Sequence, residues 1–575
     1  RITEGGRTWT QITPAGWQAY PLPIDEVGQP HELEIDFPGD REQTFVVSVI
    51  EPNAAGKVTP VGLDSGIHVS PKDVTHVAVQ PEAVQQHRLV FWPKTTSPLV
   101  LVTNLRQEQP AVFGNLRVYR QGSMPDVTPA RAGSRRAFAY FERPYFPECF
   151  GASEFRDPET GRSLEDWVTF YEGGRRMIRH LKQNGYTGVV LTCFSEGSTL
   201  YPSPLLQPTP KHDRGVFFAS GQDALRKDVL EMLFRLCDRE GIQLVPALEF
   251  STPLPSLEKR RLQSAEVMAG VDLVDEDDML WVNRNGSDRG RAPYYNPVNE
   301  SVQESMLAVV REIAARYGKH RSFGGISITM TPAGYSQLPD ADWGNDLHTL
   351  KQFQAEADVE VKAMRVGTLR TATRNGPFRN AWLEWRAGRL TDFYGRMARE
   401  LRQIQPAASL YLASGRLANS KPVQRAFRPA LPRQINVEQA MKELGLDAEQ
   451  LDKQTGVVFL RPKLQSWNPT LTQSGSEIEF NSSQEVEEYF KSSVAGTHFL
   501  HDPYRARLPS FDEISPFGSE NTLLSLVAQI SVVGHAYRRP LIEAMAAQDS
   551  RVIFSGGWMM PLGQEEIARR FLNVF

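Results

Sequence analysis

The sequence predicts an α/β protein, a (β/α)8 barrel preceded by an antiparallel, jelly-roll-like β-sandwich. Three observations lead there. From about residue 137 onward, strand-like runs alternate with helix-like ones, and the strand candidates number eight. From about residue 30 to 120 the chain holds only short alternating runs separated by turn residues, with no long helix. Between the two lies 121–134, rich in Gly, Pro, Ser and Ala as linkers are. The expected division is a sandwich over 1–132, with a possible carbohydrate-binding role, and a catalytic barrel over 133–575.

The sandwich candidates are 31–37, 44–50, 67–69, 76–79, 88–91, 99–103 and 115–119, punctuated by Pro38-Gly39-Asp40 and Pro52-Asn53. The barrel strands follow at 137–141, 188–194, 243–248, 324–330, 409–412, 457–460, 497–500 and 551–554. Helices fall between them at 164–183, 222–240, 299–317, 346–363, 380–404, 484–491 and 521–547, and a last one opens at Gly563. No glycine-rich phosphate turn follows the first strand, which favours a barrel over a doubly wound sheet. Ser220 or Gln222 is placed to cap the apolar stripe Leu225, Val229, Leu233 and Leu236; Asn299 and Glu300 open Val302, Met306, Val309, Val310 and Ile313. Cys237 and Met232, beside the first stripe, read as packing residues. The segment 415–455, with Pro422, Pro429, Pro432 and a helical patch at 437–444, reads as an insertion after the fifth strand.

Composition narrows the function. Of 575 residues, 40% are hydrophobic and 23% charged, enough apolar material for sizeable cores. Lys and Arg number 64 against 68 Asp and Glu, a net charge of -4, which favours neither a nucleic acid nor an anionic membrane as partner. The three cysteines, Cys149, Cys193 and Cys237, form no CxxC pair, so neither a disulfide framework nor a thiolate zinc site is supported. P-loop, dinucleotide fingerprint and serine elbow are all missing, and no cofactor is expected. The longest apolar stretch, 523–533, is broken by Ser525, Gln529 and Ser531 and is too short to span a bilayer. The chain begins at Arg1 without a methionine, so it reads as an excised or processed piece whose targeting signal is not visible. No oligomeric state is read from it.

Barrel enzymes carry their reactive groups at the C-terminal ends of the strands. Here those ends are rich in carboxylates: Glu142 on the first strand, Glu196 on the second, Glu249 on the third and Asp502 on the seventh. Strand alternation groups Glu196 with Thr192, Glu249 with Val245 and Ala247, and Asp502 with Leu500 and His498. Two carboxylates over one cleft are what glycosidic cleavage requires, one to protonate the leaving oxygen and one to attack the sugar or activate water. The competing reading is that Glu142 or Glu196 ion-pairs with Arg143 or Arg461 and only orients loops. Glu249 follows an apolar strand and precedes Phe250, an environment expected to raise its pKa toward general-acid use. Asp502 is then the nucleophile or base, and Glu196 a neighbour that tunes the pair.

The substrate-binding set is Glu142, Tyr335, Trp343, Arg461, Lys463, Trp467, His498 and Trp558. Aromatic rings at the barrel mouth stack on sugar faces, and Arg461 with Lys463 suits a uronate or sulfate; each ring taken alone equally fits loop anchoring. No metal ligand is assigned. His498 and His501 are three apart on a strand and point to opposite faces. The acidic run Asp275, Glu276, Asp277 and Asp278 lacks calcium-loop spacing, and Cys193 has no histidine close in sequence.

Tyr295-Asn296-Pro297-Val298-Asn299, a helix through Val309-Val310-Arg311-Glu312-Ile313, and the strand Gly325-Ile326-Ser327-Ile328-Thr329 resemble, in that order, the bacterial family 10 glycosyl-hydrolase-like barrel proteins. The strand 188–192 after the turn Lys182-Gln183-Asn184-Gly185-Tyr186 adds to the likeness, which covers residues 136–335. The resemblance implies a barrel acting on carbohydrate, and it departs where those relatives carry an aspartate and this chain has Thr329. The function expected is therefore hydrolysis of a polysaccharide or oligosaccharide by a secreted or periplasmic protein. The alternatives are a non-catalytic carbohydrate-binding barrel and a metal-dependent deacetylase or isomerase, the latter footed only on Asp502 with His498.

Overall fold

In the computed structural model the described residues are 1–52, 58–62, 64–69, 84–104, 106, 108–122, 135–152, 155–156, 163–164, 167–195, 197–206, 228–263, 269–275, 277–285, 295–357, 359–414, 417, 437–460, 497–501, 551–557, 559–560 and 562–572. Eleven strands come first: β1 (Ile2–Glu4), β2 (Arg7–Ile12), β3 (Trp17–Pro21), β4 (His31–Pro38), β5 (Gln43–Pro52), β6 (Val58–Pro60), β7 (Ser65–Val69), β8 (Val84–Phe91), β9 (Leu99–Asn104), β10 (Ala111–Phe113) and β11 (Leu116–Arg120). They form antiparallel sheets ordered β11-β4-β8, β3-β9-β5-β6 with β7 also on β5, and β1-β2-β10. Alternation along β4 sends Leu33, Ile35 and Phe37 into one core with Phe45, Val47 and Val49 of β5. Phe37 and Phe45 meet edge to face at 6.0 Å. Strands β1 to β3, before residue 30, are additions to the expected set.

The barrel sheet comprises β12 (Arg136–Phe141), β15 (Gly188–Ser195), β17 (Gln243–Leu248), β18 (Gly325–Thr329), β19 (Ser409–Ala413), β20 (Val457–Phe459), β21 (Thr497–His501) and β22 (Val552–Gly557). Two short pairs are added, β13 (Phe155–Arg156) with β14 (Ser163–Leu164), and β16 (Ser198–Thr199) folded back on the end of β15. The eight long strands are parallel and ordered β20-β19-β18-β17-β15-β12-β22-β21. That is the circular order of a TIM-like barrel; among the described residues the seam between β20 and β21 is unpaired. Crossover helices such as Trp167–Gln183, Val229–Glu240 and Glu300–Tyr317 connect the strands.

Local sequence explains the element ends. The helix Val229–Glu240 starts at Asp228, whose carboxylate accepts the Glu231 amide at 2.9 Å, and stops at Gly241 in the left-handed region. The expected caps Ser220 and Gln222 lie outside the described residues. Asn299 caps the helix Glu300–Tyr317 through the Ser301 amide, as its position before the apolar stripe predicts. Cys237 is buried in the core, and burial pushes its thiol well up. Asp275 accepts the amides of Asp277 and Met279 and pairs with Arg284 at 2.6 Å, so the acidic run is organised by an arginine.

Gly325, the glycine of the Gly-Ile strand, has φ +132°, and a Cβ there would lie 1.9 Å from the Ser409 carbonyl oxygen of β19. Only glycine lets β18 and β19 meet in this register. Gly325→Ala is therefore expected to destabilise the protein by about 3 kcal/mol through strain and overpacking. A lowered urea midpoint would show it; an unchanged midpoint would mean the two strands can part.

Sandwich and barrel share one apolar core. Trp92, just past β8, packs edge to face at 4.9 Å on both Phe150 and His180 of the barrel. Gly563 presses on Ser65 and His87, where a Cβ would be 2.3 Å from the Ser65 hydroxyl. Burial lowers the pKa of His180 to about 3, so its imidazole is neutral at ordinary pH. No described helix is long and apolar enough to cross a membrane.

Candidate active site at the carboxyl rim of the barrel

Alternation along the strands sorts the barrel into two faces. Phe138, Tyr140, Val190, Val245, Ala247, Tyr411, Ala413 and Phe554 form the interior cluster, while Phe141, Leu191, Leu248, Leu410 and Leu412 join the core under the helices. Glu142 stands two residues after Tyr140 and Glu249 two after Ala247, so both leave their strands on the interior side. Both are buried, at 1% and 3% exposure. The ladder continues past the strand ends, with the Glu142 amide donating to Gly557 O and the Glu249 amide to Phe194 O.

Arg143 joins these carboxylates. Its Nη1 donates to Glu249 Oε2 at 2.7 Å and lies 3.5 Å from Glu142 Oε1, and it also donates to the Glu142 carbonyl. Because β15 runs between β12 and β17, the guanidinium bridges over the end of the second barrel strand. The Ser251 hydroxyl donates to the other oxygen of Glu249 at 3.1 Å. The apolar surroundings expected of Glu249 are thus corrected: an arginine and a hydroxyl hold its two oxygens, although the strand before it is apolar as read. The competing reading did foresee Arg143 as an ion-pair partner, but on Glu142 or Glu196; its closer bond runs to Glu249, 106 positions away.

Beneath this rim the interior is lined by hydroxyls. Thr192 aligns with Ala247, and Ala247 with Ser327, across three adjacent strands; one step higher Thr329 aligns with Ala413. The hydroxyls of Thr192, Ser327 and Thr329 are buried with no hydrogen-bond partner among the described residues. Thr329 therefore offers a hydroxyl at the position where the sequence resemblance led to the expectation of an aspartate. Sequence alone gives a weak signal for this layer, since Thr329 differs from the usual β-branched filling only in polarity and Ser327 is a small residue with nothing around it in sequence to mark it.

Strand β15 carries a bulge, its register against β17 shifting between Thr192 and Phe194. Cys193 and Phe194, consecutive residues, both join the outer core. The grouping of Glu196 with Thr192 assumed an unbroken alternation through this stretch. Glu196 itself, with Asp502, Arg461, Lys463, Trp467 and Trp558, lies outside the described residues. His498 is on β21 in register with Ile553 of β22.

The two predicted aromatic residues that are described do not present open faces. Tyr335 is fully buried, packs on Tyr295 at 5.0 Å and donates its hydroxyl to the Thr252 carbonyl at 2.6 Å. Trp343 is 6% exposed and packs on Trp281 at 4.6 Å. Both anchor the loop that follows β18, the alternative each ring allowed. The same loop is pinned by Arg386, fully buried, donating to the carbonyls of Asp340 and Ala341.

No family model matches the chain, and no curated protein matches it. Among solved structures, the chain is similar to the PgaB (BpsB) glycoside hydrolase domain from Bordetella bronchiseptica, at 11% identity and a TM-score of 0.42 over 73% of this chain and 93% of that one. It is also similar to the β-galactosidase from Rahnella sp. R3, at 11% identity and a TM-score of 0.36, covering 74% of this chain and 51% of that one. For the polyextremophilic β-galactosidase from Halorubrum lacusprofundi the values are 12% and 0.39, with 76% and 57% covered. The chain thus spans little more than half the length of these β-galactosidases. At such scores the site rests on its own residues.

Proposed function

We propose that the barrel hydrolyses glycosidic bonds, with Glu142 and Glu249 as its described carboxylate pair. The observation that carries this is the meeting of two buried carboxylates from separate strands on one guanidinium at the carboxyl rim. Oxygens held 3.5 and 2.7 Å from the same nitrogen lie within about 6 Å of each other, compatible with the roughly 5–5.5 Å separation of retaining enzymes. In this assignment Glu249, fixed by Arg143 and Ser251, attacks the anomeric carbon while Glu142 gives its proton to the departing oxygen. The glycosidic C–O bond breaks as an ester to Glu249 forms. Water, deprotonated by Glu142, then cleaves the ester and restores both groups. Asp502 and Glu196, which lie outside the described residues, stay as further carboxylate candidates read from the sequence, and a secreted or periplasmic location goes with a polysaccharide substrate.

A second reading is favoured by the burial of the cluster itself: Glu142, Arg143 and Glu249 are each at most 3% exposed, as a structural triad would be. The protein would then bind saccharide without cutting it. The deciding experiment is release of reducing ends from neutral, uronic and sulfated polysaccharides by wild type and Glu249→Gln. Hydrolysis that falls on the order of 10³-fold or more in the variant supports the assignment. Silence of the wild type across the panel, with saccharide binding intact in both proteins, moves the function to the second reading.

A further inference from the structure

A crevice of about 360 Å³ opens where the sandwich meets the barrel, away from the carboxyl rim. Its walls are the sandwich segments 28–30 and 120–122, the helix Trp167–Gln183 and the helix Glu565–Leu572. Five guanidinium groups line it, from Arg120, Arg175, Arg176, Arg179 and Arg569, and none of its described lining residues is acidic. Glu26 pairs with Arg120 and Glu172 with both Arg175 and Arg176, so these three guanidinium groups alone outnumber the carboxylates that meet them. Arg176 is fixed in place, its Nη1 donating to the carbonyls of Phe150 and Gly151 at 3.1 and 2.8 Å. Gly28 makes room for it, since a Cβ there would lie 2.9 Å from Nη2.

Gathering like charges round one hollow is costly unless an anion balances them. Burial lowers the pKa of Arg176, and the charge of Arg175 beside it lowers it further against the pull of Glu172. A polar side chain in the wall adds a second requirement. Asn184 is 1% exposed, its Nδ2 donates to the His180 carbonyl at 2.9 Å, and its Oδ1 is buried without a partner among the described residues. Asn184 lines the crevice, and its acceptor can take a hydrogen bond from a ligand hydroxyl, a donor that inorganic sulfate lacks.

We infer that this crevice binds an anionic saccharide, its carboxylate or sulfate held by the arginines and a ring hydroxyl by Asn184. The volume lies in the range of small-ligand sites, about 300–1,000 Å³, and guanidinium forks match the planar geometry of both acidic groups. The site is separate from the carboxylate rim and stands whether or not the barrel cleaves glycosides.

The test is calorimetric titration of the full chain with digalacturonate, a sulfated chondroitin disaccharide, cellobiose and inorganic sulfate. At least one acidic disaccharide is expected to bind, at least about tenfold more tightly than cellobiose and than inorganic sulfate. Arg175→Ala/Arg179→Ala is expected to weaken that binding at least tenfold with an unchanged melting temperature, and Asn184→Leu to weaken the disaccharide but not sulfate. Arg235→Ala, on another exposed helix face, and Glu249→Gln should leave it unchanged, which separates this site from the hydrolytic reading. The proposal is overturned if neither acidic disaccharide binds, if cellobiose binds as well, or if the double arginine variant binds like wild type. Equal binding of inorganic sulfate and the disaccharides overturns the saccharide assignment.

Discussion

Arg143→Met is expected to cost the barrel about 3–5 kcal/mol of stability, the scale for removing one partner of a buried ion pair. Arg143 is 1% exposed, and its Nη1 supplies the 2.7 Å bond to Glu249. Without it Glu249 keeps only the neutral Ser251 hydroxyl among the side chains shown bonded to it, and a carboxylate in that burial cannot recover its lost hydration. The loss should be read in guanidinium denaturation at pH 7. Adding Glu249→Gln to Arg143→Met is expected to restore much of it, because an uncharged amide tolerates the site. If the single variant unfolds at the wild-type midpoint, water reaches the rim and the cluster is not the dry charge triad described. Lysine at 143 is a weaker test, since an ammonium can take the place of the single Nη1 that meets both carboxylates.

The second large effect lies in the sandwich. Asp64 is 1% exposed, and burial pushes its carboxyl up to about 7, with the Ser48 hydroxyl offsetting only part. Its ordinary value is 3.8. A folded-state value above the unfolded one means that the native protein holds the proton more tightly. Its stability contribution is therefore fully present below about pH 4 and lost as pH rises through about 7. Three units correspond to roughly 4 kcal/mol. Asp64→Asn should accordingly match wild type near pH 4 and exceed it by up to about 4 kcal/mol at pH 8, measured by urea denaturation at both values. Equal stabilities at pH 8 would show that Asp64 ionises in the fold without penalty. Glu565, pushed to about 8 by burial, adds to the same trend in both proteins and cancels in the comparison.

Much of the barrel was legible because its strands are read twice. The run Gln243–Leu248 alternates Val245 and Ala247 against Leu244 and Leu248, and the structure uses that alternation to separate interior from helix-facing core. Asn299 could be placed because a cap is a local bond, written within a few residues. The site was legible only in part. That Glu142 and Glu249 end strands was plain; that one arginine ties them was not, since the bond joins residues 106 positions apart and strand order must be known before the two ends are neighbours. The bulge at Cys193 escaped for a related reason. Alternation is a rule of period two, and one extra residue in β15 shifts everything after it by one place. Tyr335 and Trp343 show the remaining limit: a ring near a barrel mouth looks the same in sequence whether it greets a ligand or holds its own loop.

The core shared by sandwich and barrel also bears on how the molecule comes apart. Trp92 rests on Phe150 and His180, and the chain's last described helix begins beside Ser65 and His87, so each unit supplies part of the other's dry interior. A cut in the segment between β11 and β12 would divide the polypeptide but not the free energy. A barrel released from its neighbour would show water a face built for apolar contact, and the two would melt in one cooperative transition because neither has a finished surface of its own. The sandwich in this protein is thereby a wall of the barrel's foundation as much as an appendage to it.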